Sequence, residues 1–159
     1  MNTRIVLALL AVYLGVGALH AEDKVEISAV KLADLNAAIA KHKGKIVVVD
    51  FWATFCIPCR KEFPNLVKLH GEQSSTIACI SVTVDNPDDS AKALRFLKQQ
   101  KAVFENYLLD EKAEVYQKEF GFAAVPCVLV YDRNGKLVKK FSDKEFTYKE
   151  VRKVVDEIN

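Results

Sequence analysis

The chain has 159 residues, half of them apolar, which suits one globular domain with a real core rather than two. Its formal charge of +2 is nearly balanced, so it lacks the dense basic surface that a nucleic-acid partner would need. Four irregularly spaced cysteines exclude a disulfide-stapled mini-protein, and each calls for its own explanation.

Residues 1–21 place one cation, Arg4, before an uncharged apolar stretch from Ile5 to Leu19 and then small residues, the pattern of an export signal. That stretch is shorter than the ~20 apolar residues that cross a bilayer as a helix. Cleavage after Ala21 is therefore expected, although Leu19 fits the small-x-small rule poorly and an uncleaved anchor stays open. Either way residues 22–159 are expected to be exported, periplasmic or facing the extracytoplasmic side of a membrane. Membrane contact would run only through the N-terminal segment. Disulfides persist in such a compartment, and a reducing protein there needs electrons from elsewhere.

Residues 31–42 space Leu32, Leu35 and Ile39 on one helical face, with Gly44 just past the end. "KIVVVDFWA" is a continuous apolar run that suits a strand covered on both faces. "CRKEFPNLVKLHGE" reads as a helix in which Pro64 should cause a bend or remove one hydrogen bond. "TIACISVTVD" is the next buried strand. Residues 89–101, with Leu94, Phe96 and Leu97, and "EKAEVYQKEFG", stopped by Gly121, read as two helices. "PCVLVYD" and "KLVKKF" flank Asn134-Gly135, which predicts a β-hairpin closed by a type I′ turn. A last helix opens with the capping box Thr147-x-x-Glu150 and turns Val151, Val154, Val155 and Ile158 inward. No linker, repeat or low-complexity tract divides these elements, so residues 22–159 form one α/β domain, a mixed sheet between helices.

"DFWATFCIPC", residues 50–59, carries the chemistry. Cys56 falls between a buried strand and a helix, where unpaired N–H groups and the positive end of the helix dipole favour an anion. Thiol pKa values drop from about 8.5 to roughly 3.5–7.5 at such places, and only the thiolate attacks a disulfide. Cys56 thus reads as a nucleophile. Cys59, one turn on, is within reach of it and shielded by the helix, which suits a resolving thiol. Pro58 fits the first turn and stiffens the loop. A structural staple is a weaker reading, because so short a loop restrains little chain. A zinc site needs a second ligand pair, and the sequence offers neither another Cys-X-X-Cys nor a His-x-x-x-His. No metal and no cofactor are called for.

"VVVDFWATFCIPC", Pro64 five residues after Cys59, and "AVPCVLV" together resemble the thioredoxin superfamily over nearly the whole chain after residue 21. The stretch from Val84 to Pro126 is longer than in minimal thioredoxin. With the export segment, this helical insertion before the cis-proline strand is similar to the exported TlpA and ResA branch. The resemblance implies a thioredoxin-like fold with helices on both sheet faces, and thiol-disulfide exchange with protein thiols and disulfides. It also implies reduction as the usual direction, a membrane electron donor, and service in cytochrome c maturation.

Residue by residue, the resemblance makes Cys56 the attacking thiol, Cys59 the resolving one, and the pair a redox-active disulfide. Pro126 becomes the cis-proline facing the site, with Val125 offering backbone hydrogen bonds to an extended substrate. The plainer reading of Pro126 is a residue that merely starts an edge strand. Trp52 would pack beside the active-site loop on the substrate side, with core filling as the alternative, and Pro58 and Pro64 would support the loop. Burial should raise the pKa of Asp50, six residues before Cys56. In thioredoxins an acid at this position is held to take the proton of the resolving cysteine; a satisfied buried acid without a role is the alternative. Phe55 stands where Trp or Tyr is frequent and should keep an aromatic cover over the site. Cys127 follows the cis-proline, where it would either meet a mixed disulfide or serve as a small hydrophobe. Cys79 reads as core, two strand spacings from Cys127 and too far for a disulfide. Two other functions stay open: a disulfide oxidase or isomerase, and a binding module whose couple does not turn over.

Overall fold

Residues 24–142 and 145–159 are described by the computed structural model, so the export segment expected over residues 1–21 lies outside the described residues. In chain order the elements are β1 (Ser28–Val30), α1 (Leu32–Ala40), β2 (Ile46–Trp52), α2 (Ile57–Gln73), β3 (Ile77–Thr83), α3 (Ser90–Gln100), β4 (Glu105–Leu109), α4 (Ala113–Phe120), β5 (Cys127–Tyr131), β6 (Leu137–Phe141) and α5 (Tyr148–Ile158). Every residue of β2 and β3 is buried, as unbroken apolar runs demand, and these strands take the centre of a sheet ordered β1-β4-β3-β2-β5-β6. The first four strands in that order run parallel, while β5 and β6 are antiparallel to their neighbours.

Alternation along β2 divides the core in two. Ile46, Val48 and Trp52 face α2, α3 and α5, packing with Phe63, Leu66, Phe96, Leu97, Val151 and Val155. Val47, Val49 and Phe51 face α1 and α4, packing with Leu35, Ile39, Tyr116 and Phe120. This is the thioredoxin-like α/β architecture with helices on both faces. Among the described residues no helix is long and apolar enough to cross a membrane.

Three features differ from the sequence reading. The stretch before Pro126 holds its two helices, α3 and α4, but also the strand β4 between them. Asn106 hides β4 from pattern reading, since a polar residue interrupts the run. In the fold its amide donates to the carbonyls of Ala102 and Phe104, and its carbonyl oxygen accepts from Ser81. The three-residue edge strand β1 has no signal of its own and exists by pairing with β4. The hairpin turn is not type I′, because Gly135 (φ 79°) has positive φ and Asn134 does not. The Gly135 N–H bonds to the Asp132 carbonyl, and the Asp132 carboxylate accepts the N–H groups of Asn134 and Lys136, each at 2.9 Å. This is a type I turn followed by a left-handed glycine, which Asp132 imposes through its side chain. Pro64 sits inside α2, and the helix runs through it without the N–H that would have reached the Arg60 carbonyl.

Candidate active site

Antiparallel pairing of β5 with β2 sets Cys127 opposite Phe51, so the start of β5 lies beside the end of β2. The loop ahead of α2 and the loop ahead of β5 therefore meet beyond the carboxyl end of β2. Cys56 and Cys59 are joined there in a disulfide with Cα atoms 5.3 Å apart. Cys56 is the N-cap of α2, and its Sγ accepts the Cys59 N–H at 3.3 Å. The helix thus aims N–H groups and the positive end of its dipole at the Cys56 sulfur, an arrangement that favours a thiolate once the bond opens. The expected contrast in shielding is small: Cys56 is 6% exposed and Cys59 4%, so burial in the disulfide form does not separate their roles.

A buried carboxylate fixes the approach to Cys56. Asp85, just beyond β3, accepts the Thr54 N–H at 2.9 Å, the Thr54 hydroxyl at 2.8 Å and the Thr83 hydroxyl at 2.6 Å. With Thr54 drawn inward, its neighbour Phe55 points out and is 70% exposed, so it does not cover the site as expected. Ile57 is exposed as well, and these two apolar side chains flank the disulfide. Trp52 is completely buried, with its ring 5.2 Å from Phe63 and 4.9 Å from Phe96. It has no surface to give a substrate, which corrects its placement on the substrate side. It is core packing beneath the loop.

The Val125–Pro126 peptide is cis. Val125 and Pro126 line a groove of about 680 Å³ together with Pro58, Lys61, Glu62 and Phe146. Pro58 lies exposed in the first turn of α2, and Pro64 is exposed on its middle. Cys127 turns through the sheet, packing with Phe51 and Leu129 in the α1/α4 layer, whereas Cys56 and Cys59 belong to the opposite layer. Alternation along β5 is the reason, and it removes Cys127 from the path of a mixed disulfide. Cys79 lies in the disulfide's layer, on β3, with β2 between it and β5.

Asp50 sits on β2, 4% exposed. Burial pushes its carboxyl up to about 7; a hydrogen bond from the Tyr148 hydroxyl, 2.6 Å from Oδ2, opposes that rise, and the nearby Glu62 charge adds to it. The Tyr148 N–H in turn donates to Glu62 Oε2 at 3.0 Å. Burial, then the Asp50 charge, raises the Cys79 thiol to about 12, so Cys79 stays protonated. Sequence reasoning missed Tyr148, Glu62 and the Thr54–Asp85 clamp. The one available signal was general: an acid inside an apolar strand needs a donor from somewhere in the fold.

Among the described residues no group of three His, Cys, Asp or Glu side chains could hold a metal ion. A second cavity, of about 430 Å³, lies at the opposite end of the parallel strands, between His42, His70, Glu105 and Tyr107, remote from the disulfide.

A thioredoxin-like fold with a Cys-X-X-Cys disulfide at a helix N-terminus and a cis-proline alongside defines the thiol-disulfide oxidoreductase class. The chain belongs to the AhpC/TSA family, whose model matches residues 20–140. It is similar to the thioredoxin-like protein YneN of Bacillus subtilis, 26% identical over 89% of this chain and 81% of that protein. It also resembles the thiol-disulfide oxidoreductase ResA of Bacillus thuringiensis, 29% identical, where the match spans 65% of this chain and 58% of the relative. Among solved structures it resembles the thioredoxin domain of a thiol-disulfide oxidoreductase from Bacteroides vulgatus. That likeness has a TM-score of 0.58 at 29% identity, over 73% of this chain and 83% of the other. It shares the fold of a thiol:disulfide interchange protein DsbE from Chlorobium tepidum, with a TM-score of 0.63 at 24% identity over 75% of this chain and 82% of that one.

Proposed function

We propose that the protein is an exported reductase of protein disulfides that works through Cys56 and Cys59. The observation that carries the reading is Asp50, buried on the strand that leads to the couple, where burial pushes its carboxyl up to about 7. A base there serves a shielded thiol that must lose its proton. In the reduced protein the Cys56 thiolate attacks a client disulfide, forming a mixed disulfide and releasing one client thiolate. Asp50 takes the Cys59 proton, and Cys59 attacks the Cys56 sulfur. The Cys56–Cys59 disulfide forms, and the second client thiolate leaves.

Val125 and Pro126 line the groove in which an extended client segment would lie, and the exposed Phe55 and Ile57 give it apolar footing. Two electrons from a membrane dithiol donor would restore the thiols. The export segment read in residues 1–21 supports an extracytoplasmic place. The TlpA and ResA resemblance supports service in cytochrome c maturation.

The test is the reduction potential of the Cys56/Cys59 couple, measured across thiol-disulfide buffers on protein with Cys79 and Cys127 replaced by Ala. A reductase should lie near or below about −250 mV, whereas a value nearer about −120 mV would make the protein an oxidant and reverse the proposed direction. Insulin-disulfide reduction should vanish in Cys56→Ser, and a native protein inactive in that assay with its couple intact would point to a binding module instead.

A further inference from the structure

Tyr148 is the first residue of α5, 5% exposed, and no step described so far uses it. The capping box holds the start of this helix, with the Thr147 N–H donating to Glu150 at 2.9 Å. From that anchored start the Tyr148 backbone N–H reaches Glu62 on α2, and its hydroxyl reaches Asp50 on β2. One residue of the last helix, through its backbone N–H and its hydroxyl, thus ties the acid of the central strand to the helix that carries the couple.

The groups facing Asp50 are Tyr148 from α5, Glu62 from α2 and the Cys79 thiol from β3, while β5 opposes it with Val128. Glu62 opposes ionisation of Asp50, and so does burial itself. Tyr148 alone among these described neighbours favours the carboxylate. It keeps its proton and donates a hydrogen bond to Oδ2, because burial, the Asp50 charge and its own hydrogen bond to Asp50 hold the phenol well above its ordinary pKa. A phenol that keeps its proton gives an incoming proton no competing acceptor, so the proton goes to the carboxylate.

We propose that Tyr148 is a positioning residue of the exchange chemistry, its hydroxyl holding the Asp50 carboxyl in place and stabilising its ionised form as the acceptor of the Cys59 proton. The inference rests on the assignment of Asp50 to that role. In the step, the proton passes from Cys59 Sγ to the Asp50 carboxylate while the Tyr148 O–H bond stays intact. The new S–S bond forms between Cys59 and Cys56 as the client thiolate departs, and Asp50 later returns the proton to water.

The test follows the Asp50 carboxyl carbon by NMR through a pH titration of the full chain, native and Tyr148→Phe. In parallel, the rate of mixed-disulfide resolution is recorded against pH for both proteins and for Asp50→Asn. The variant keeps the ring and loses only the hydroxyl. The Asp50 midpoint should rise by about one pH unit, a tenfold change in its protonation equilibrium, and the resolution profile should move upward with it. Resolution should also slow relative to the first attack, a split that a general loss of packing would not produce.

A midpoint unchanged in Tyr148→Phe, with Asp50→Asn slow to resolve, overturns the proposal and leaves the role of Asp50 standing. Native-rate resolution by Asp50→Asn overturns the role of Asp50 and the proposal together. If Tyr148→Phe does not fold, the Tyr148 Cζ shift in the native protein decides. It should titrate with the Asp50 midpoint, and a flat response overturns the proposal.

Discussion

Asp50 shows how one residue can trade stability for chemistry. Its ordinary carboxyl value of 3.8 becomes about 7 in the fold, so the unfolded chain binds fewer protons than the native protein between those values. The Asp50 contribution to stability is then greatest below about pH 4 and falls as pH rises towards 7, by about 4 kcal/mol at roughly 1.4 kcal/mol per pH unit. Asp50→Asn keeps an oxygen for the Tyr148 hydroxyl and never ionises. It should resist urea better than the native protein at pH 8, with no advantage at pH 4; a difference that does not vary with pH would contradict this account. In a mixed-disulfide assay the native protein should resolve faster as pH passes 7, and the same variant should lose that rise. Asp85 is a residue of the opposite kind, with a purely architectural carboxylate. Asp85→Ala would leave three donors on Thr54 and Thr83 without their acceptor, at about 1–3 kcal/mol for each that stays buried. We expect a loss of about 3 kcal/mol in urea unfolding, and faster hydrogen exchange at the Cys56 amide, because the same clamp holds the loop that ends in Cys56.

Helix ends and turns set where these residues lie. The start of α5 matters beyond its own stability, since Tyr148 is the first residue after the cap. Glu150→Ala removes the acceptor of the Thr147 N–H and should cost about 1 kcal/mol in thermal or urea unfolding. If the helix start also loosens, the Asp50 titration should broaden or shift in that variant. The β5–β6 turn is held by Asp132, so Asp132→Ala should cost about 1 kcal/mol through two lost acceptor contacts. It should leave the disulfide chemistry untouched, because that turn lies at the far end of β5 from Pro126. At the start of α2 the cap is a cysteine in place of the usual Ser, Thr, Asp or Asn. Its sulfur accepts the Cys59 N–H, which ties the geometry of the helix end to the redox state of the couple.

For the molecule as a whole, redox direction and folding stability are two sides of one cycle. A couple is a strong oxidant when the folded protein prefers its thiols, and a reductant when the fold prefers the disulfide. The reductase reading therefore predicts that the oxidised protein unfolds at higher temperature or denaturant than the reduced one at pH 7. The reverse order would mark an oxidant, independently of any client assay. Two layers of core grip the sheet from both sides, and the site lies beyond one end of its strands. Thiolate and disulfide forms thus exchange at the rim of a scaffold whose central strands, β2 and β3, are wholly buried.

The sequence by itself determined the elements whose signals are local. The unbroken apolar runs announced β2 and β3, the capping box announced α5, and the Cys-Ile-Pro-Cys motif between strand and helix announced the couple. Asp50 was visible as a charge where an apolar strand should have none. Only the tertiary structure decided what depends on pairing across the chain. The strand β4 exists through its pairing with β3 and the side-chain bonds of Asn106, and β1 exists through β4. Trp52 and Cys127 took their sides from the pleat and from the helices packed on each face, and both ended in core rather than at the groove. The partner of Asp50 came from a helix 98 residues away, because a buried hydroxyl-to-carboxylate bond is chosen by proximity in the fold and leaves no periodicity or spacing in the chain.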